Sequence, residues 1–116
     1  GYSQISIVDP HRLAFVSGQV AWRRDGGSVP GNIAEQTAIV IGNLREALVA
    51  IRAKPRDIVQ MRLYVTDLGD EAQEIVMTQL AKFLDGTQPS LTGIGVNALA
   101  APDLKIEMEM VVQVPA

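Results

Sequence analysis

The sequence contains no cysteine, only one histidine and no long apolar run. Without cysteine there is neither a disulfide nor a thiolate nucleophile, and Cys-based metal sites are excluded. No apolar stretch approaches the ~20 residues that a membrane-spanning helix needs, and the N-terminal residues lack the pattern of a secretory signal. We therefore predict a cytoplasmic protein with no metal site and no membrane span.

Positive charge is also scarce and scattered. The sequence has ten Lys and Arg residues and thirteen Asp and Glu residues, which gives a formal net charge of -3. Arg23-Arg24 is the only adjacent basic pair. Nucleic-acid binding requires clustered Lys and Arg to neutralise phosphates, so a nucleic-acid partner is not expected. With 47% hydrophobic and 20% charged residues in 116 positions, the composition predicts one globular domain over residues 1–116.

The apolar residues alternate between strand and helix periodicities along the chain. Strands are predicted over residues 4–8, 13–20, 58–65, 90–96 and 105–114. Between them, one helix is predicted to begin after Asn32 and end before Pro55, and a second is predicted over residues 71–84. Asn32 followed by Glu35 matches a capping box at the start of the first helix. The predicted element order is β-β-α-β-α-β-β, with the first two strands pairing as a hairpin.

Each predicted helix carries one apolar stripe, so both must cover the same face of the sheet to bury it. This predicts a two-layer α+β sandwich with a mixed sheet. The strand–helix–strand unit over residues 58–96 should be a right-handed crossover between parallel strands. The other sheet face would expose Tyr64, Val111 and either Ile94 or Leu91. An exposed, partly apolar sheet face favours self-association, so we expect a homo-oligomer.

Five segments in this order resemble the Rid family, also called YjgF and historically labelled L-PSP endoribonuclease. They are Gly1-Tyr2-Ser3-Gln4, Phe15-Val16-Ser17-Gly18-Gln19-Val20, Tyr64-Val65-Thr66-Asp67-Leu68, residues 88–99, and Lys105-Ile106-Glu107-Met108-Glu109. The resemblance implies a chorismate-mutase-like fold and a homotrimer with three clefts between subunits. In the best-known branch these clefts hydrolyse enamine and imine intermediates without any cofactor.

The main departure from that branch is Leu91. The resemblance implies an arginine at this position, two residues after Pro89, where it would hold the substrate carboxylate. A hydrogen bond to a charged group contributes ~1.5–3 kcal/mol, and a guanidinium adds bidentate geometry that leucine lacks. Because about 1.4 kcal/mol corresponds to a tenfold change in affinity, losing the arginine lowers the affinity for a carboxylate by roughly one to two orders of magnitude. Leucine instead offers ~1.5–3 kcal/mol of apolar burial.

The resemblance also implies roles for other residues. Glu107 matches the glutamate that positions or activates water, although its alternation with Ile106 and Met108 equally fits an ordinary half-buried strand. Tyr2 matches a tyrosine at the site entrance, with simple packing as the alternative. Ser17 and Thr92 are candidate ligand contacts.

Two further positions were weighed from the residues themselves. Arg62, on a strand expected to lie ~5 Å from that of Leu91, could replace the missing cation or could be an ordinary surface arginine. Ser17-Gly18-Gln19 is read as architectural, because glycine in a strand usually permits the close approach of another backbone segment.

Three functions follow as hypotheses. The first is a Rid-type enzyme that hydrolyses imines or enamines other than 2-iminobutanoate, with Glu107 orienting water. The second is a trimer that binds small molecules without catalysis. The third is the ribonuclease of the historical label, against which the acidic balance argues.

Overall fold

Four strands form one mixed sheet, and two helices pack on one of its faces. The computed structural model describes all 116 residues. Its elements, in chain order, are β1 (Arg12–Gln19), α1 (Ile33–Ala50), a short 3₁₀ helix (Pro55–Asp57), β2 (Ile58–Val65), α2 (Asp70–Leu84), β3 (Ser90–Gly95) and β4 (Ile106–Val114). The strand order is β1-β4-β2-β3. Strands β2 and β3 are parallel, and β4 is antiparallel to both of its neighbours. The predicted α+β class and the parallel pairing across residues 58–96 are confirmed.

The prediction of a strand over residues 4–8 was wrong. Only one isolated bridge, between Ser3 and Ser90, joins the N-terminal segment to the sheet. The Ser3 amide donates to the Pro89 carbonyl at 2.9 Å, and the Ser90 amide donates to Oγ of Ser6 at 3.1 Å. The segment therefore lies at the outer edge of β3 instead of forming a hairpin with β1. Strand β1 pairs with β4, and the paired residues range from Gln19–Met108 to Arg12–Val114. A local sequence pattern cannot reveal a pairing between such distant segments.

The core lies between the helices and one face of the sheet. Seventeen buried residues from both helices, the sheet and the loop before the 3₁₀ helix form one contiguous cluster, in which Leu44, Met61, Leu80, Ile106 and Met108 are completely buried. The buried positions of β4 alternate along the strand, so its other side chains face away from the helices. Outside the register shifts at residues 16–19 of β1 and 58–60 of β2, this alternation assigns each side chain of the sheet to a covered face or an open face.

Helix α1 begins as predicted, and its buried side contains one polar residue that sequence analysis missed. Oδ1 of Asn32 accepts the Glu35 amide at 2.8 Å. Gln36 is fully buried in the next turn. Its amide donates to the carbonyls of Pro30 and Asp103 at 2.9 Å each, and its Oε1 accepts the Lys105 amide at 2.8 Å. Gln36 therefore fixes the loop before α1 against the start of β4.

The open face of the sheet carries both polar and apolar groups. Phe15 pairs with Val111 there, and Phe15 is 75% exposed. Ile94 aligns with Tyr64 across β2 and β3, so Ile94, and not Leu91, is the apolar β3 residue on this face. No helix of the protein has the length and apolar character that crossing a bilayer requires.

Candidate functional site

Leu91 lies on the covered face of the sheet. It aligns with the buried Met61 in the parallel β2–β3 ladder and packs against the hydrophobic core. In front of it, a cavity of about 250 Å³ opens between β3 and α2. The lining residues are Tyr2, Leu63, Val65, Leu68, Gln73, Val76, Met77, Leu91, Gly93 and Ile94. None of these ten residues is charged.

Tyr2 and Gln73 are the two lining residues with polar side-chain groups. Tyr2 is 53% exposed and lines the same cavity as Leu91. Gln73 was not identified from the sequence. Its position, three and four residues before Val76 and Met77, places it beside them on one side of α2. This helical spacing from Val76 and Met77 is the sequence signal by which Gln73 could have been identified.

Glu107 lies on the opposite, open face of the sheet. It aligns with Tyr64 in the β2–β4 ladder, whereas the neighbours of Glu107 on β4 are buried. Its carboxylate lies over Gly18, which belongs to an irregular part of the β1–β4 ladder. A β-carbon added to Gly18 would be only 2.1 Å from Oε2 of Glu107. The group that approaches Gly18 is therefore the side-chain carboxylate of Glu107, and not the backbone segment expected from the sequence.

A second polar group lies on the same open face. The Tyr64 hydroxyl donates a short hydrogen bond to Oε1 of Glu109, and Nη1 of Arg62 lies 4.0 Å from the same oxygen. The hydrogen bond to Glu109 is the main cause that raises the Tyr64 pKa above its ordinary value of 10.0, with desolvation as a second cause. Sequence analysis did not identify this cluster, because Tyr64 and Glu109 are 45 positions apart.

The predicted site residues fall into two groups on opposite faces. Leu91 and Tyr2 line the cavity beneath the sheet, whereas Glu107 and Thr92 lie on the open face. Ser17 is exposed in the irregular part of the β1–β4 ladder. Within one chain, Glu107 and Leu91 therefore do not share a cleft. A cleft with both residues would need contributions from two subunits.

Arg62 does not lie at the cavity of its own chain. Arg62 aligns with Thr92, one residue from Leu91, so its side chain leaves the sheet on the other face. It lies beside Glu109, its neighbour across the β2–β4 ladder. No three or more His, Asp or Glu side chains converge in a way that could hold a metal ion, so no residue is assigned to a metal.

Comparisons with known proteins agree with this architecture. The family model described as "Endoribonuclease L-PSP" matches residues 1–114. The chain is 35% identical over 102 residues to "Protein mmf2, mitochondrial" of Schizosaccharomyces pombe, covering 85% of this chain and 78% of that protein. It is 29% identical over 105 residues to "Putative reactive intermediate deaminase TdcF" of Escherichia coli, covering 90% and 81% respectively.

One solved structure has the same fold over almost the whole chain. It is a Yersinia pestis protein named YyfB, described as a protein of unknown function of the conserved Rid family. The two structures superpose with a TM-score of 0.90 at 35% sequence identity, covering 97% of this chain and 86% of the other. The chain belongs to the Rid family, whose family model is named endoribonuclease L-PSP.

Proposed function

We propose that this chain forms a homotrimer with small-molecule clefts between subunits, and that it hydrolyses imine or enamine metabolites other than 2-iminobutanoate. Family membership and the deaminase name of one relative support imine chemistry. The uncharged lining of the cavity at Leu91 is the observation that argues against 2-iminobutanoate, a carboxylate, as the substrate. Without a guanidinium, a carboxylate there loses ~1.5–3 kcal/mol of charged hydrogen bonding.

The proposed role of Glu107 is to orient the attacking water. A carboxylate can accept the proton of a water molecule as the water attacks an imine carbon. Gly18 leaves the space in which this carboxylate lies. Because Glu107 and Leu91 lie on opposite faces of one sheet, we propose that each cleft combines Glu107 of one subunit with the Leu91 cavity of its neighbour.

The open sheet face supports the homotrimer. Phe15 is exposed there beside Val111, and burying such a side chain contributes ~1.5–3 kcal/mol. We expect light scattering to give three times the chain mass for the unmodified protein and a smaller mass for Phe15→Glu. Val49→Glu is the matched control, because Val49 on α1 is equally exposed, at 75%. A monomeric unmodified protein, or a Phe15→Glu variant of unchanged mass, would contradict the proposal.

The substrate restriction is tested with imines made in solution. Threonine dehydratase supplies 2-iminobutanoate, and an amine oxidase supplies an aliphatic imine without a carboxylate. Semicarbazide reacts with the imine faster than with the carbonyl product of hydrolysis, so hydrolysis appears as a lower initial rate of semicarbazone formation. We expect this protein to reduce the trapping of the uncharged imine but not of 2-iminobutanoate. The Leu91→Arg variant should also hydrolyse 2-iminobutanoate. Rapid hydrolysis of 2-iminobutanoate by the unmodified protein, lost in Glu107→Ala, would refute the restriction.

The second candidate is a trimer that binds small molecules without catalysis. The position of Glu107 on the face opposite the cavity favours it. Under this alternative no imine is hydrolysed, and Glu107→Ala leaves ligand affinity unchanged. Under the first proposal the same variant lowers turnover.

Two further predictions concern nucleic acid and location. We do not expect this protein to have the ribonuclease activity named in the family description, because its net charge is -3 and its basic residues are scattered. The cytoplasmic location expected from the sequence is tested by fractionating cells that produce the tagged protein.

A further inference from the structure

Arg62 and Glu109 lie near the middle of the open sheet face. They belong to β2 and β4, the two central strands, and they pair with each other well inside that ladder. Nη1 of Arg62 lies 4.0 Å from Oε1 of Glu109, and the two side chains are 49% and 35% exposed. A cation and an anion are therefore held together at a place that solvent still reaches.

The charged pair and the exposed Phe15 border the same hollow of the open face. This hollow, of about 220 Å³, is lined by Phe15 and Val111 together with Arg62 and Glu109. Any partner that covers Phe15 therefore also covers the two charges. Because charges lose their hydration in an interface, such a partner must offer each of them an opposite charge.

The pairing within one chain leaves bonding capacity on both groups. A direct N–H···O bond is ~2.7–3.2 Å long, so the 4.0 Å contact is an ion pair without a direct bond. A guanidinium has five N–H donors, and a carboxylate accepts about four hydrogen bonds. The contacts of Glu109 with Tyr64 and Arg62 both use Oε1, which leaves Oε2 free.

A second copy of this chain meets the requirement with the same face, since that face presents a cation and an anion side by side. Subunits of a cyclic oligomer are related by rotation, so residues at one spot of the surface meet their own copies only near the rotation axis. Near a threefold axis, Arg62 of each subunit can reach Glu109 of the next. Cations and carboxylates then alternate around the axis, and each charge has two opposite charges beside it.

We propose that Arg62 and Glu109 of the three subunits form a closed ring of alternating charges at the centre of the homotrimer, in which each Arg62 bonds the Glu109 of its neighbour. The inference rests on the proposed homotrimer and names the polar contact between its open faces. Phe15 contributes apolar burial to the same interface. The ring makes assembly depend on a balance of charge, because reversing either member leaves charges of one sign around the axis.

Charge reversal tests whether the two residues control assembly. Because like charges meet at the centre, Arg62→Glu and Glu109→Arg should each raise the concentration at which the trimer half-dissociates by at least about 30-fold. Sedimentation velocity over a dilution series measures that concentration. Arg24→Glu is the matched control, because it breaks the exposed ion pair of 3.5 Å with Glu46 elsewhere on the chain and should leave the mass unchanged.

The folding of the variants is checked by urea unfolding of each chain. Both side chains are partly exposed in the single chain, so each variant should fold. Arg62→Gln is the milder variant, because it removes the positive charge without reversing it. It should shift the dissociation of the trimer in the same direction as Arg62→Glu, and by less.

Mixing the two reversed variants separates pairing between subunits from pairing within a chain. Neither the Arg62→Glu chain nor the Glu109→Arg chain has an internal ion pair at this position, so only contacts between chains can bring opposite charges together. We expect an equimolar mixture to form mixed trimers at concentrations at which each variant alone has dissociated. Unchanged dissociation in both single variants, or two folded variants that do not assemble with each other, would overturn the ring.

The outcome is separable from that for the proposed function. A trimer that dissociates no more readily in either reversed variant overturns the ring alone, and the homotrimer then stands on Phe15. A monomeric unmodified protein overturns the homotrimer and the ring together, and assigns the open face to a different partner. Charge-dependent assembly of a trimer that hydrolyses no imine supports the ring and contradicts the proposed catalysis.

Discussion

Adding one methyl group at Gly18 should move the Glu107 carboxylate while leaving the fold intact. In Gly18→Ala the new β-carbon would lie 2.1 Å from Oε2, 2.6 Å from Cδ and 2.9 Å from Cγ of Glu107. Real β-carbons essentially never approach another heavy atom within 3.0 Å. The carboxylate oxygen must therefore retreat by about 0.9 Å or more.

The two consequences of this displacement differ in size. Glu107 is half-buried and its atoms nearest Gly18 belong to a flexible side chain, so a rotamer adjustment of ~0.5–1.5 kcal/mol relieves the contact. Catalysis is more sensitive, because a misplacement of about 1 Å lowers a rate about 100-fold. We expect Gly18→Ala to hydrolyse the uncharged imine about 100-fold more slowly, with urea unfolding changed by no more than about 1.5 kcal/mol.

Three measurements make this prediction decisive. Semicarbazide trapping gives the rate, urea denaturation gives the stability, and a crystal structure of the variant gives the carboxylate position. Gly31→Ala is the matched control, because its β-carbon meets nothing within 4 Å. Unchanged activity together with a displaced carboxylate would refute the role of Glu107. A carboxylate that has not moved would refute the steric reasoning itself.

Two further predictions concern stability and ionisation. Gln36→Leu removes three hydrogen bonds, to the Pro30 and Asp103 carbonyls and from the Lys105 amide, so the free energy of unfolding in urea should fall by about 3 kcal/mol. Gln79→Leu is the control, because it removes a single hydrogen bond to Ala34 and should lower the free energy of unfolding by about 1 kcal/mol. Equal losses in the two variants would contradict this account. The hydrogen bond to Glu109 raises the Tyr64 pKa and so favours the neutral phenol in the folded state. Its contribution to stability is complete below pH 10.0 and is lost as the pH rises through the folded-state pKa. The Tyr2→Phe variant has Tyr64 as its only tyrosine, and its ultraviolet titration should give a midpoint above 10.0. Adding Glu109→Ala should move this midpoint back towards 10.0. An unmoved midpoint would exclude the hydrogen bond to Glu109 as the cause of the raised pKa.

Most elements could be predicted because their signals are local. The apolar stripe after Asn32 and the alternation before Val65 follow from helix and strand geometry alone. The same reasoning failed at residues 4–8, where Ile5 and Ile7 also alternate but are 77% and 91% exposed. A strand requires a hydrogen-bonded neighbour, and only tertiary structure determines whether one is present.

The family resemblance indicated candidate site residues, but it did not indicate their arrangement. The resemblance identified Tyr2, Leu91 and Glu107, and the structure places Tyr2 and Leu91 at one cavity. It places Glu107 on the other side of the sheet, and it adds Gln73 to the cavity lining, outside the segments that carry the resemblance. Partners that lie far apart in sequence, such as Tyr64 and Glu109, cannot be paired without the strand register.

The helices, four of the five predicted strands and the family resemblance follow from patterns within the sequence, and the replacement of the family's arginine by Leu91 stays a prediction. The face that each strand residue occupies depends on the strand register, which the tertiary fold fixes. Successive side chains of a strand point to opposite faces, so a register shift of one residue would exchange Leu91 with Thr92. The alignment of Leu91 with Met61 fixes that register and directs Leu91 into the uncharged cavity beneath the sheet.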